Sequence, residues 1–313
     1  MDRSQNSLAQ NSLAQNQPAQ NQLIKLPNGI TLHVRHWGTP RAGHAPLLAV
    51  HGLLRNSADF NALANALAAD YHVIAVDVRG RGHSSWGPVD EYAVPHYAED
   101  MLQLLDILKI PKVHWLGTSM GGMIGLALAS THPERFASLT FNDIGPVLNK
   151  EGMRRINKYV QLYPSFADKT AATEFISRVY KPFNLSQDET AELAAHSFRH
   201  DPADNKLYLH YDPAIAKAYG DYADALEEDT ELWHLYDNLT MPILVIRGAD
   251  SDILDRDTFI AMTARAKGFV MGYTEPDVGH APMLHKPATI EIIRQFLNTA
   301  SAEAATPAAA AAN

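Results

Sequence analysis

Cysteine is absent from all 313 residues, which excludes disulfides, thiolate zinc sites, iron–sulfur clusters and a cysteine nucleophile. Positive charge is also scarce. Lys and Arg number 26 against 35 Asp and Glu, a net charge of −9 with His neutral, and no basic cluster stands out. Nucleic-acid binders and proteins held on anionic membranes need such a cluster, so neither partner is expected. Long apolar runs are missing too. Stretches such as 123–129 fall far short of the roughly 18 residues a membrane span requires, and a soluble protein is expected.

What remains is globular in composition, with 46% hydrophobic and 19% charged residues, enough for a sizeable core. Residues 1–22 are mostly Ser, Asn, Ala and Gln, and Ser7-Leu8-Ala9-Gln10-Asn11 recurs at Ser12-Leu13-Ala14-Gln15-Asn16. Without the apolar stretch of a secretory signal, this segment reads as a disordered tail and the protein as cytoplasmic. Residues 299–313 are Ala-rich, contain Pro307 and read as a second tail.

Between the tails, 23–37 alternates around Pro27-Asn28-Gly29, the signature of a tight antiparallel hairpin. Short apolar runs at 46–50, 72–76, 113–116, 137–141, 242–246 and 269–273 end at turns. Helical spacing at 61–69 and 97–108 lies between them, with Leu102, Leu105 and Leu108 on one face. Runs apolar on both faces and separated by helices predict a parallel sheet covered on both sides. From 147 to 239 no such run occurs, and helical spacing predicts a helical insertion.

Gly117-Thr118-Ser119-Met120-Gly121-Gly122 lies directly after one apolar run and before a helical pattern. Glycines around a serine permit the sharp strand-to-helix turn that lifts a hydroxyl above a sheet, so Ser119 is the candidate nucleophile. A neutral hydroxyl needs a base, and the base needs an orienting carboxylate. His280, in Gly279-His280-Ala281-Pro282 after the last run, is the expected base. Asp252 is the expected acid, because Ile253-Leu254 can lock its loop; Asp250 competes in the same loop as a turn-capping side chain. Asp143, at the end of the sixth expected strand, is the next candidate if neither orients His280. The oxyanion is expected to rest on the backbone N–H groups of Met120 and of Leu53, in His51-Gly52-Leu53-Leu54. Leu54, Trp233 and Tyr159 are candidate walls for an acyl group, although aromatic residues at helical spacing more often build a core. His196 and His200 have the spacing of two metal ligands on one helix face, but no Glu follows the first, so neither metal nor other cofactor is expected.

These motifs, with Asp77-Val78-Arg79-Gly80-Arg81-Gly82-His83-Ser84, Asn142-Asp143-Ile144-Gly145-Pro146 and Arg247-Gly248, resemble the α/β-hydrolase superfamily over 23–297. The likeness is to its bacterial esterase, enol-lactonase and carbon–carbon hydrolase branch. That resemblance implies a mainly parallel eight-stranded sheet flanked by helices, formed by 23–146 and 240–298. It also implies a helical cap at 147–239 inserted after the sixth strand. The segment 77–84 usually serves as a structural turn in that fold. Serine rather than Asp at the nucleophile position favours acyl transfer over dehalogenase or epoxide hydrolase chemistry. The expected protein is a serine hydrolase of a small-molecule carboxylic ester, a monomer or homodimer. Alternatives with the same triad are a carbon–carbon hydrolase of a vinylogous diketone, in which Arg154, Arg155, Arg178 or Arg199 grips a second carboxylate, and an enol-lactonase. A non-catalytic ligand binder is the remaining class.

Overall fold

A computed structural model describes residues 19–305. The chain opens with β1 (Gln20–Lys25) and β2 (Thr31–Trp37), paired antiparallel across the Asn28-Gly29 turn. Then follow β3 (Leu47–Val50), α1 (Asn61–Leu67), β4 (Val73–Val76), α2 (Val94–Ile107), β5 (Val113–Thr118), α3 (Met120–Thr131) and β6 (Phe136–Asn142). Every residue of β3, β4 and β6 is buried, as strands covered on both faces must be.

The chain next leaves the sheet through β7 (Val147–Leu148) and passes α4 (Lys150–Val160), β8 (Ser165–Phe166), α5 (Lys169–Val179), α6 (Gln187–Ser197), β9 (Phe198–Asp201), β10 (Lys206–Leu209) and α7 (Ala214–Ala225). It returns through β11 (Thr230–Glu231) and α8 (Trp233–Tyr236). Strands β7 and β11 pair as a two-stranded neck, and β8, β10 and β9 form a small antiparallel sheet. The expected helical insertion thus also carries a small sheet that the sequence reading did not include. Asn205, at φ +57°, turns the chain between β9 and β10, and this hairpin is too short to show a strand period in sequence.

Last come β12 (Ile243–Gly248), α9 (Arg256–Arg265), β13 (Val270–Glu275) and α10 (Pro287–Ala305). The eight strands run in the order β1-β2-β4-β3-β5-β6-β12-β13, parallel from β4 to β13. The pleat divides the core by parity: Leu48 and Val50 pack on the face of α2 and α3, while Leu47 and Ala49 pack on the face of α1 and α10.

Both expected tails are shortened by regular structure. Residues 20–22 belong to β1, a mostly exposed edge strand carried by its ladder to β2 rather than by an apolar pattern. Residues 299–305 extend α10, where Ala300 is buried and the Ser301 hydroxyl meets His114 Nε2 at 3.2 Å. The rest of both expected tails lies outside the described residues. Among the described residues no helix is long and apolar enough to cross a membrane.

Candidate active site

Ser119 occupies the junction of β5 and α3 at φ +50° and ψ −114°, a conformation that a side chain adopts only under tight constraint. The constraint is backbone crowding. A Cβ on Gly117 would lie 2.2 Å from the Gly121 carbonyl oxygen, and one on Gly121 would lie 2.1 Å from that of Val50. The Ser119 N–H donates to the Asn142 carbonyl at 2.9 Å, fastening the turn to the end of β6. Its hydroxyl caps no helical N–H and is left to project.

His280 Nε2 lies 2.9 Å from Ser119 Oγ, and its Nδ1 lies 2.9 Å from Oδ2 of Asp143. Because an ionised carboxylate only accepts, Nδ1 carries the proton and Nε2 is free to accept from the serine. Asp143 is fully buried and follows β6 at φ +56°, a region that Asp tolerates better than most residues. Its Oδ1 accepts from the Gly248 N–H at 2.8 Å, and its Oδ2 also accepts from the Ser251 hydroxyl at 2.7 Å.

The expected acid therefore needs correction. Asp252 is half-exposed and bound to the Arg155 guanidinium, with Nη2 at 2.8 Å from Oδ1. The side chain of Asp250 is exposed. The loop is locked by Ile253 and Leu254 as the sequence suggests, both being buried. Ser251, however, is the residue turned inward, and its Oγ accepts from the N–H groups of Ile253 and Leu254, each at 3.2 Å. With Ser251 facing Asp143, its neighbour Asp252 is delivered to the outside.

Beside the elbow runs the loop from His51 to Leu54, where a Cβ on Gly52 would sit 3.7 Å from Ser119 Cβ. His51 is fully buried, and burial pushes its pKa down to about 4. Its Nδ1 donates to the Gly52 carbonyl at 2.7 Å, and its Nε2 accepts from the Val78 N–H at 2.9 Å, so the neutral ring staples this loop to the 77–84 turn. Among the described residues the N–H groups of Leu53 and Met120 have no hydrogen-bond partner.

Leu54 is half-buried against the main core. Tyr159, on α4, has no hydrogen-bond partner for its hydroxyl among the described residues, and burial beside Tyr180 raises its pKa well above the usual phenol. Trp233 is committed elsewhere: its ring packs edge-on to Tyr236 at 5.8 Å and under the Arg265 guanidinium at 4.3 Å, at the joint of α8 and α9. His196 and His200 do not share a helix, since α6 ends at Ser197 and His200 belongs to β9. Among the described residues no group of three or more His, Asp or Glu is placed to hold a metal ion. Of the arginines considered for a second carboxylate, Arg154 pairs with Glu151, Arg155 with Asp252 and Arg199 with Asp201, while Arg178 is exposed on α5.

A crossover sheet of this order, with a serine on a strained turn after its fifth strand, defines an α/β hydrolase. The comparisons agree. The profile of the alpha/beta hydrolase fold family matches residues 45–287, and the chain belongs to that family. It is 37% identical over 281 residues to a 3-hydroxybutyrate-oligomer hydrolase of Cupriavidus necator, covering 88% of this chain and 95% of the relative. It is 26% identical over 259 residues to the esterase YbfF of Escherichia coli, covering 82% and 94%. Among solved structures, an alpha/beta hydrolase of Novosphingobium aromaticivorans superposes with a TM-score of 0.82 at 29% identity, over 90% of this chain and 98% of that one. The chain is a hydrolase of this family.

Proposed function

We propose that the protein hydrolyses carboxylic esters through an acyl-enzyme on Ser119, and that its substrates are short oligoesters of 3-hydroxy acids. The observation that carries this reading is the relay Ser119 Oγ to His280 Nε2, and His280 Nδ1 to Asp143 Oδ2, with both steps at 2.9 Å. Ser119 attacks the ester carbonyl as its proton passes to Nε2. The negative oxygen is held by the Leu53 and Met120 N–H groups, both free to receive it. Nε2 then gives its proton to the leaving alcohol. A water molecule repeats the sequence in reverse: it loses a proton to Nε2, attacks the acyl-enzyme carbonyl and releases the acid as Ser119 takes the proton back. Asp143 holds the imidazole tautomer and faces the imidazolium charge.

The choice of oligoester rests on the 3-hydroxybutyrate-oligomer hydrolase that this chain resembles over most of its length. In this reading segment 147–239 caps the site, and Leu54 and Tyr159 line the acyl group, the protonated Tyr159 hydroxyl being available to donate to a polar acyl substituent. A carbon–carbon hydrolase acting on a dicarboxylate would need a cation for the second carboxylate. Three of the four arginines weighed for that task already hold carboxylates, so the ester reading is preferred.

The deciding experiment incubates the purified chain with the dimer and trimer of 3-hydroxybutyrate, p-nitrophenyl esters of increasing acyl length and an aromatic ring-cleavage dienoate. Release of monomer from the dimer, with one organophosphate adduct per chain on Ser119, is the expected result. Turnover of the dienoate alone would replace this reading with the carbon–carbon one.

A further inference from the structure

Arg81 lies in the turn of 77–84, is fully buried, and has no carboxylate within ion-pair distance among the described residues. A guanidinium taken out of water without a counter-charge is rare, and its partners say what it does. Its Nε donates to the Leu53 carbonyl at 2.9 Å. Its Nη2 lies 3.6 Å from the Met120 sulfur. Nη1 donates to the Arg79 carbonyl at 2.8 Å and to the Tyr97 hydroxyl at 2.9 Å, and the rings of Tyr97 and Tyr92 lie 4.9 and 5.6 Å from the guanidinium carbon. Arg79 differs entirely, being held by carboxylates of Asp100 and Glu91.

Leu53 and Met120 are the two residues whose N–H groups are assigned to the oxyanion, and one side chain touches both residues, through the Leu53 carbonyl and the Met120 sulfur. We infer that Arg81 is the positioning residue of the oxyanion hole, and that it couples the hole to the inserted segment. This rests on the reading of Leu53 and Met120 as the donors. By anchoring the Leu53 carbonyl, Arg81 fixes the Leu53–Leu54 peptide, while the preceding peptide, which carries the Leu53 N–H, is held by His51 through the Gly52 carbonyl; together they limit how far Leu53 can turn. Through Met120 it touches the first turn of α3. Its charge, not offset by any paired carboxylate among the described residues, is buried against Leu53 and Met120, in surroundings that screen it little.

The coupling runs through the backbone. Arg81 forms an antiparallel bridge with Tyr211, just after β10, flanked by bonds from Gly82 N–H to the His210 carbonyl at 2.9 Å and from Asp212 N–H to the Gly80 carbonyl at 2.7 Å. Movement of that return strand must displace Arg81, and with it the Leu53 carbonyl. The inserted segment therefore sets how well the hole is formed as well as what covers it.

The test compares Arg81→Met, Arg81→Lys and Ser119→Ala in the full chain, reading kcat and KM for p-nitrophenyl butyrate and the Kd of an alkylboronic acid, which forms a tetrahedral adduct on the serine. Loss of a direct donor costs about 100- to 1,000-fold in kcat, so Arg81→Met is expected to cost about 30- to 300-fold with KM within about twofold. Boronate affinity should fall by the same factor, because it reports the transition-state geometry. Arg81→Lys should recover part of both. A folded Arg81→Met that keeps kcat within about threefold, or that loses kcat without weakening the boronate, overturns the inference. If Arg81→Met gives no cooperative melt, Arg81→Lys decides: lower kcat at constant KM sustains the inference, and unchanged kcat overturns it. Ser119→Ala separates the two levels. Activity retained there defeats the triad reading itself, whereas an inert Ser119→Ala beside an unaffected Arg81→Met defeats only the role given to Arg81.

Discussion

Asp143 and Asp252 stand on loops after neighbouring parallel strands, β6 and β12, and end in opposite chemical situations. Asp143 is fully buried and receives a backbone N–H, a serine hydroxyl and the His280 ring. Asp252 is half-exposed and holds one surface arginine. A carboxylate can orient an imidazole only if its own position is fixed and its remaining lone pairs are satisfied away from water. Number of donors and depth separate the two residues, whereas their positions at strand ends do not.

The sharpest way to break this contrast is to neutralise the buried member. Asp143→Asn should lower kcat by about 10⁴, as expected when a triad carboxylate becomes an amide and the histidine tautomer is lost. Steady-state kinetics on a p-nitrophenyl ester reads it, and an active Asp143→Asn would remove this residue from the relay.

Buried imidazoles extend the comparison to stability. His51 and His114 bond to uncharged groups, and burial lowers each pKa from 6.5 to about 4. The unfolded chain takes up protons at these sites below pH 6.5 while the folded one stays neutral. Their contribution is therefore complete above that pH, is lost as pH falls towards 4, and changes no further below. Between pH 7 and 5 each should withdraw about 2 kcal/mol of stability, read by urea unfolding. A flat profile would contradict their burial as neutral rings.

Smaller effects probe the support of Asp143. Ser251→Ala removes one hydrogen bond to its carboxylate and should cost about tenfold in kcat with little change in KM, the scale of a bond to a charged group. Asp252→Asn should change kcat by less than about twofold and stability by at most about 1 kcal/mol, as expected for an exposed ion pair. Should Asp252→Asn be the inactive variant, the assignment of the two loops is reversed.

Much of this arrangement is legible in the chain. The elbow is readable because its glycines answer to a local demand, the crowding of Gly117 against Gly121 and of Gly121 against Val50. The parallel strands are readable because burial on both faces leaves unbroken apolar runs. His280 stands out through its loop after the last run, and the structure brings it to Ser119. The partner of its other nitrogen is not readable in the same way. Choosing among Asp143, Asp250 and Asp252 depends on which side chains of a turn face inward, and a shift of one residue exchanges Ser251 for Asp252. The strands β8, β9 and β10 escaped because two to four residues carry no measurable period. Arg81 was visible only as part of a familiar turn. Its contacts span distant parts of the chain, and no local pattern announces them.

Ser119, Asp143 and the loop of His51 all precede the inserted segment, whereas His280 follows it. On a ribosome, β5, β6 and the serine between them are synthesised well before the imidazole. The histidine is joined to that serine through β12, paired on β6 by residues such as Ile243 with Leu139, and through β13, paired on β12. In the proposed relay the Ser119 hydroxyl has no base until His280 is in place. The same order divides the molecule for genetic complementation. A polypeptide severed within the insertion would yield one fragment with Ser119 and Asp143 and another with His280, and the proposed relay would wait on their reassociation along the β6–β12 seam.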